Sequence, residues 1–138
     1  MKTRTYMTFD GECKNAIEHY KKALNTTTES MLLFGEMPPN PNFPIPEDYK
    51  DRVLQATLII GDDLIRMSDC GPGHNLNGVE TERLSVVLEA TVDEIKHAFS
   101  VLSEGGKIGM ALEETFYSPC AGVVFDKFGV MWNLAAIE

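Results

Sequence analysis

The sequence predicts an α+β fold of two tandem β-α-β-β-β modules forming curved mixed sheets around a cleft. Three observations predict it. The order strand, helix, strand, strand, strand is legible once before a turn-rich stretch and a second time after it. A shift of 78 positions lays the first helix on the second, pairing Ile17 with Ile95, His19 with His97 and Leu24 with Leu102. The length of 138 residues suits one ordinary domain. A module of about 60 residues buries its sheet poorly alone, so the two are expected to form one domain over residues 1–138, with module one at 1–69, a connector at 70–81 and module two at 82–138.

In the first module, Thr3 to Phe9 is rich in β-formers and aromatics and ends at Asp10-Gly11. Glu12 to Leu24 follows, with Ala16, Ile17, Tyr20, Ala23 and Leu24 at helical spacing. Thr26 to Phe34 is a further strand. Gly35 to Asp51 holds five of the seven prolines and cannot pair as a central strand. It is also too long for a bare connection, so it reads as a lid or a subunit clasp. Arg52 to Ile60 and Asp63 to Asp69 form a hairpin through Gly61-Asp62.

Cys70 to Glu80 carries Gly71-Pro72-Gly73, His74, Asn75, Asn77 and Gly78, a turn-forming mixture. Leu84 to Ala90 is then a strand. Thr91 with Glu94 three residues on makes a capping box for a helix over Val92 to Glu104, which stops at Gly105-Gly106. Lys107 to Leu112, Ala121 to Phe125 and Val130 to Ile137 supply three more strands, the last two joined by Asp126 to Gly129.

The composition is globular, with 43% apolar and 24% charged residues. Against 21 acidic residues stand 12 scattered basic ones, a net charge of -9, so nucleic acid and anionic membrane surfaces are repelled on average. No apolar run approaches the roughly 18 residues that span a bilayer, and Met1 to Thr5 leads into a strand with no signal-peptide core. Cys13, Cys70 and Cys120 lie far apart with no CxxC spacing, which suits neither a disulfide framework nor a zinc knuckle and points to a reducing cytoplasm.

Several segments together resemble the PhnB-like branch of the vicinal oxygen chelate superfamily, which includes glyoxalase I, extradiol dioxygenases and the bleomycin and fosfomycin resistance proteins. They are Phe9-Asp10-Gly11 before Ala16-Ile17-Glu18-His19-Tyr20, Gly35-Glu36-Met37-Pro38, Met67-Ser68-Asp69, Glu104-Gly105-Gly106-Lys107, Glu114-Thr115-Phe116-Tyr117 and Asp126 to Trp132. These pieces cover nearly the whole chain in order. The resemblance implies a homodimer and a small-molecule ligand.

Enzymes of that superfamily hold one divalent metal on cup-facing His, Glu or Gln side chains, where it acts as a Lewis acid on a chelating substrate. Carrying the pattern across with Tyr20, Gly61 and Gly129 as anchors puts the ligand positions at Thr5, Gln55, Ser85 and Asn133. Neutral hydroxyls and amides do not hold Ni, Zn, Fe or Mn tightly, so the expectation is that the ancestral metal site is lost and no cofactor is bound. The neighbouring Tyr6, Ala56, Thr57, Leu84, Val86, Trp132 and Leu134 include no acid or imidazole, so a one-residue slip leaves that expectation unchanged.

On the same register Thr5, Met7, Gln55, Thr57, Ser85, Val87, Glu89, Met131 and Asn133 line the cup. Leu54, Ala56, Leu58, Ile60, Val86, Leu88, Trp132 and Leu134 pack under the helices. Arg66, a charge within a strand, and Phe116, in a possible aromatic wall, complete the ligand candidates. No catalytic residue is assigned. The hydroxyls and amides have an equally available structural role, bonding one another or holding water.

Asp69, Cys70 and His74 invite a nucleophile or metal reading, but they flank a glycine-rich connector with no third soft ligand and read as ordinary loop. Cys13 and Cys120 read as small apolar fillers. His19 and His97 sit on helices and read as helix-edge residues rather than general bases.

The leading functional reading is a metal-independent small-molecule binder or enzyme. The alternatives are a divalent-metal-dependent lyase, isomerase or dioxygenase, and an antibiotic-sequestering resistance protein whose acidic cavity attracts a cationic drug. Relatives of the branch have also been labelled ubiquinone-pathway methyltransferases. Here no GxGxxG follows a strand, and Gly71 and Gly73 stand in the connector, so a nucleotide-type cofactor has no visible seat.

Overall fold

In the computed structural model, described over residues 1–76 and 83–137, each half of the chain carries one helix and one four-stranded mixed sheet. The elements run β1 (Thr5–Phe9), α1 (Cys13–Leu24), β2 (Thr28–Leu33), β3 (Val53–Ile60), β4 (Asp63–Asp69), β5 (Val86–Ala90), α2 (Val92–Leu102), β6 (Lys107–Glu113), β7 (Ala121–Phe125) and β8 (Met131–Ala136). Single 3-10 turns at Phe34–Glu36 and Glu47–Tyr49 interrupt the proline-rich stretch. The chain divides into two compact units, Met1–Lys21 with Thr26–Val79, and Lys22–Asn25 with Glu80–Glu138.

The first unit's sheet has the order β1-β4-β3-β2, with β1 parallel to β4 and the other neighbours antiparallel. Gly61 takes φ +59 between β3 and β4, and Asp62 stays at negative φ. That combination suits a two-residue turn with glycine leading, so the twist of the turn matches that of the strands. Met7, Phe9, Ala56, Leu58, Ile65 and Met67 form one buried layer with Ala16, Ile17 and Tyr20 of α1. The Phe9 and Tyr20 ring centroids lie 6.5 Å apart, which identifies this as the helix-covered face. Each large side chain buried there contributes roughly 1.5–3 kcal/mol by removal from water.

The second unit repeats the plan as β5-β8-β7-β6, with β5 parallel to β8. Thr91 caps α2 by accepting the Glu94 N–H at 3.2 Å, while Glu94 Oε1 accepts the Thr91 N–H at 3.3 Å, the reciprocal box its spacing predicts. Val124, Trp132, Leu134 and Ala136 are buried beneath the helix. Gly122 has no side chain because a Cβ there would lie 3.1 Å from Cε2 of Phe99 and 2.9 Å from the Met110 carbonyl oxygen.

Several element boundaries differ from expectation by one or two residues, as where β1 and β2 begin at Thr5 and Thr28 instead of Thr3 and Thr26. Pairing of β5 with β8 begins at Val86 opposite Trp132, which leaves Leu84 80% exposed and Ser85 ahead of the strand. The second helix ends at Leu102, with Ser103 as its C-cap, instead of reaching Glu104. Residues 77–81 of the expected connector, and residue 82 where the second module is expected to begin, lie outside the described residues.

No helix among the described residues is long and apolar enough to cross a membrane.

Candidate functional site

Strand register decides which side chains can meet. In the first unit Tyr6 lies opposite Arg66, Arg66 opposite Thr57, and Thr57 opposite Ser30, so these four stand in one row across all four strands. Thr8 lies opposite Ser68 one step along, on the same face. This face is the reverse of the one that carries Phe9 and α1, and Gln55 shares it by alternation with Thr57.

Thr5 and Met7 are not part of it. Met7 lies opposite Met67, which lies opposite Ala56, so it joins the helix-covered layer and is 6% exposed. Thr5 lies opposite Ile65, itself opposite Leu58, on that same helix side. The expectation that Thr5 and Met7 line a surface with Gln55 and Thr57 is therefore corrected. Alternation is reliable along a strand, but the relative phase of two strands is set by their hydrogen-bond register, which anchors elsewhere in the chain do not transmit. The apolar alternation of Met7 and Phe9 was the available signal, and it points to Tyr6 and Thr8 as the outward pair.

In the second unit the expected faces coincide with the register. Val86 pairs with Trp132 and Leu88 with Leu134 on the covered side, while Val87 pairs with Asn133 and Glu89 with Ala135 on the other. Asn133 donates from Nδ2 to Ser85 Oγ at 2.6 Å, so these two polar candidates satisfy one another. Glu89 is exposed, and Met131 shares the helix-free face opposite Phe125. Phe116 is fully exposed and packs edge-on to Tyr117 with centroids 5.2 Å apart. It lies in the loop after β6, outside either sheet row.

The four positions carried over from the metal enzymes do not fit a divalent ion. Thr5 and Gln55 lie on opposite faces of one sheet, and Ser85 and Asn133 are neutral and bonded to each other. Among the described residues no three His, Cys, Asp or Glu side chains gather.

Two buried carboxylates hold the framework. Asp69 Oδ1 accepts the N–H groups of Gly11 at 2.8 Å and Cys13 at 3.0 Å, and Oδ2 accepts that of Val53 at 2.9 Å. It therefore ties the N-terminus of α1 and the start of β3 to the end of β4. Asp126 Oδ1 accepts Phe128 and Val130 N–H at 2.9 and 3.0 Å, and Oδ2 accepts the indole N–H of Trp132 at 2.9 Å. Sequence reading ends a strand at Asp69, grouped with the loop that follows, and puts Asp126 in a turn, since five of their six partners are backbone N–H groups that any residue but proline supplies.

The remaining candidates take structural roles. Cys13 is buried, and burial followed by the nearby Asp69 charge pushes its thiol up to about 12. Burial and Asp10 raise that of Cys70, while its Sγ donates to the His74 carbonyl oxygen at 3.3 Å. Neither is an activated thiolate. His19 is buried beside Tyr20, and His97 Nε2 lies 2.8 Å from the Lys22 carbonyl oxygen within the second unit. The proline-rich loop is pinned at its neck, where Phe34 and Gly35 donate to the carbonyls of Arg52 and Lys50 at 3.0 Å each. Arg52 lies over the Tyr49 ring at 4.1 Å and pairs with Asp10 at 3.1 Å.

No family model matches the chain. It is 33% identical to protein YjdN of Escherichia coli (strain K12), over 96% of this chain and 93% of that protein. Among solved structures, protein PA1353 from Pseudomonas aeruginosa is 31% identical with a TM-score of 0.83, covering 99% of this chain and 97% of its own. The PhnB protein from Bacillus cereus, which bears a 3-demethylubiquinone-9 3-methyltransferase label, is 25% identical with a TM-score of 0.78, covering 99% of each chain. Fosfomycin resistance protein FosX from Listeria monocytogenes, 9% identical over 98% of this chain and 91% of its own, shares the fold at a TM-score of 0.61.

Proposed function

Because the chain belongs to the PhnB-like branch of the vicinal oxygen chelate superfamily, we propose that it is a metal-independent protein that binds a small molecule on the helix-free face of its first sheet. The observation that carries this reading is the contrast between the two faces of the first sheet. One is a close-packed apolar layer, while the other sets Tyr6, Thr8, Ser30, Gln55, Thr57, Arg66 and Ser68 among the apolar Leu32, Ile59 and Leu64. A few placed polar groups among apolar walls is how ligand sites orient their occupants. Metal independence is supported by the donor chemistry and opposed faces of Thr5 and Gln55, and by the mutual bond of Ser85 and Asn133.

On the second sheet, Glu89, Asn133 and Met131 stand together on the helix-free face, and the proposed assembly is a cytoplasmic homodimer. Native mass spectrometry of the purified chain tests both points. The expected spectrum shows a dimer carrying a small organic adduct that is released on denaturation. A bare chain that no compound of a diverse library stabilises would sink the reading.

A further inference from the structure

We propose that the row Tyr6–Arg66–Thr57–Ser30 is an oxyanion site, so that the small molecule carries a carboxylate or phosphate group. The inference rests on the reading that a small molecule occupies this face. Its geometric basis is the register, which places Arg66 between Tyr6 on β1 and Thr57 on β3, with Thr8 and Ser68 beside it in the next row.

Arg66 is exposed and makes no ion pair or hydrogen bond among the described residues, and neither row contains a carboxylate. A guanidinium flanked only by hydroxyls has no internal counter-charge. Thr57 and Ser68 sharpen the point. They are 4% and 7% exposed, yet their hydroxyls make no hydrogen bond to a described residue, and neither oxygen is sealed from the surface. Largely buried hydroxyls without protein partners are costly unless something else bonds them.

An oxyanion meets these needs together. The planar guanidinium fork matches two oxygens of a carboxylate or phosphate, and the neighbouring hydroxyls donate to the oxygen lone pairs that remain. A cation is repelled by Arg66, and a neutral ligand leaves its charge unmatched. The net charge of -9 opposes anions at long range. That field is screened beyond roughly 8 Å at physiological salt, whereas a direct guanidinium contact is not. The combination favours a compact anion over a polyanion.

The test is an amide chemical-shift titration of the full chain with inorganic phosphate, benzoate and the neutral benzamide. Phosphate or benzoate should shift residues 6, 57, 66 and 68 saturably, and which of them binds identifies the oxyanion. Arg66→Gln should weaken that binding at least tenfold, Arg66→Lys less, and Tyr6→Phe several-fold, with far-UV circular dichroism unchanged. Benzamide should be indifferent to all three. Anion affinity unaltered in both Arg66→Gln and Tyr6→Phe overturns the proposal. Benzamide shifting this face while neither anion does refutes the oxyanion site but leaves the small-molecule reading standing. If no probe shifts a helix-free residue of either sheet, both fail.

Discussion

The indole of Trp132 donates to Asp126 Oδ2 at 2.9 Å while the other carboxylate oxygen closes the turn that leads into the same strand. Both residues are buried, and the tryptophan is fully so. Asp126→Ala leaves three N–H groups without this acceptor, and each buried unsatisfied donor costs on the order of 1–3 kcal/mol, so the expected loss is at least about 2 kcal/mol. Asp126→Asn keeps one acceptor oxygen and should lose less. Urea midpoints of the three proteins check the order, and equal midpoints for Asp126→Ala and the parent would refute it.

Asp69 makes a similar prediction for the first unit. Asp69→Ala removes the acceptor of Gly11, Cys13 and Val53 and should destabilise by about 2–4 kcal/mol. Amide exchange should accelerate first at the start of α1. If exchange there matches that of the parent, the tie at that helix end is without consequence.

Alkaline stability should report Cys13. Its thiol is raised from 9.0 to about 12 on folding, so the folded state holds the proton that the unfolded state gives up. The corresponding stability is complete below pH 9.0 and is lost as pH rises toward about 12. Cys13→Ala should remove this part of the decline over the same window, as measured by chemical denaturation at stepped pH. Identical slopes for parent and variant would show that the burial has no such linkage.

Gly122→Ala should destabilise by roughly 1–3 kcal/mol, because the added methyl meets the Met110 carbonyl oxygen at 2.9 Å and Phe99 at 3.1 Å. Thermal unfolding measures it. Shortening the ring with Phe99→Leu in the same chain should recover part of the loss, and additive effects would place the strain elsewhere.

Metal content gives a prediction of a different kind. Protein grown with nickel, zinc, iron and manganese should carry far less than one ion per chain by elemental analysis, since Thr5, Gln55, Ser85 and Asn133 are neutral donors. One tightly held ion per chain would reverse the functional reading.

Much of the fold was legible because its determinants are local. Thr91 and Glu94 sit three apart, Gly61 opens a two-residue turn, and the apolar alternation of Trp132 and Leu134 assigns the second sheet's faces within one strand. Met7 shows the limit, since its own strand does not say whether Ala56 or Gln55 lies across the sheet from it.

By itself the sequence determined the element order, the repeat and the polar character of the positions carried over from metal enzymes, all of which depend on residues near one another in the chain. Only the tertiary structure decided that Arg66 stands between Tyr6 and Thr57, that Thr5 and Met7 turn toward the helix, and that Asp69 clamps distant backbone. The physical reason is that interstrand phase and long-range hydrogen bonds arise from pairing between segments, and a one-residue change in that pairing exchanges the two faces of a sheet.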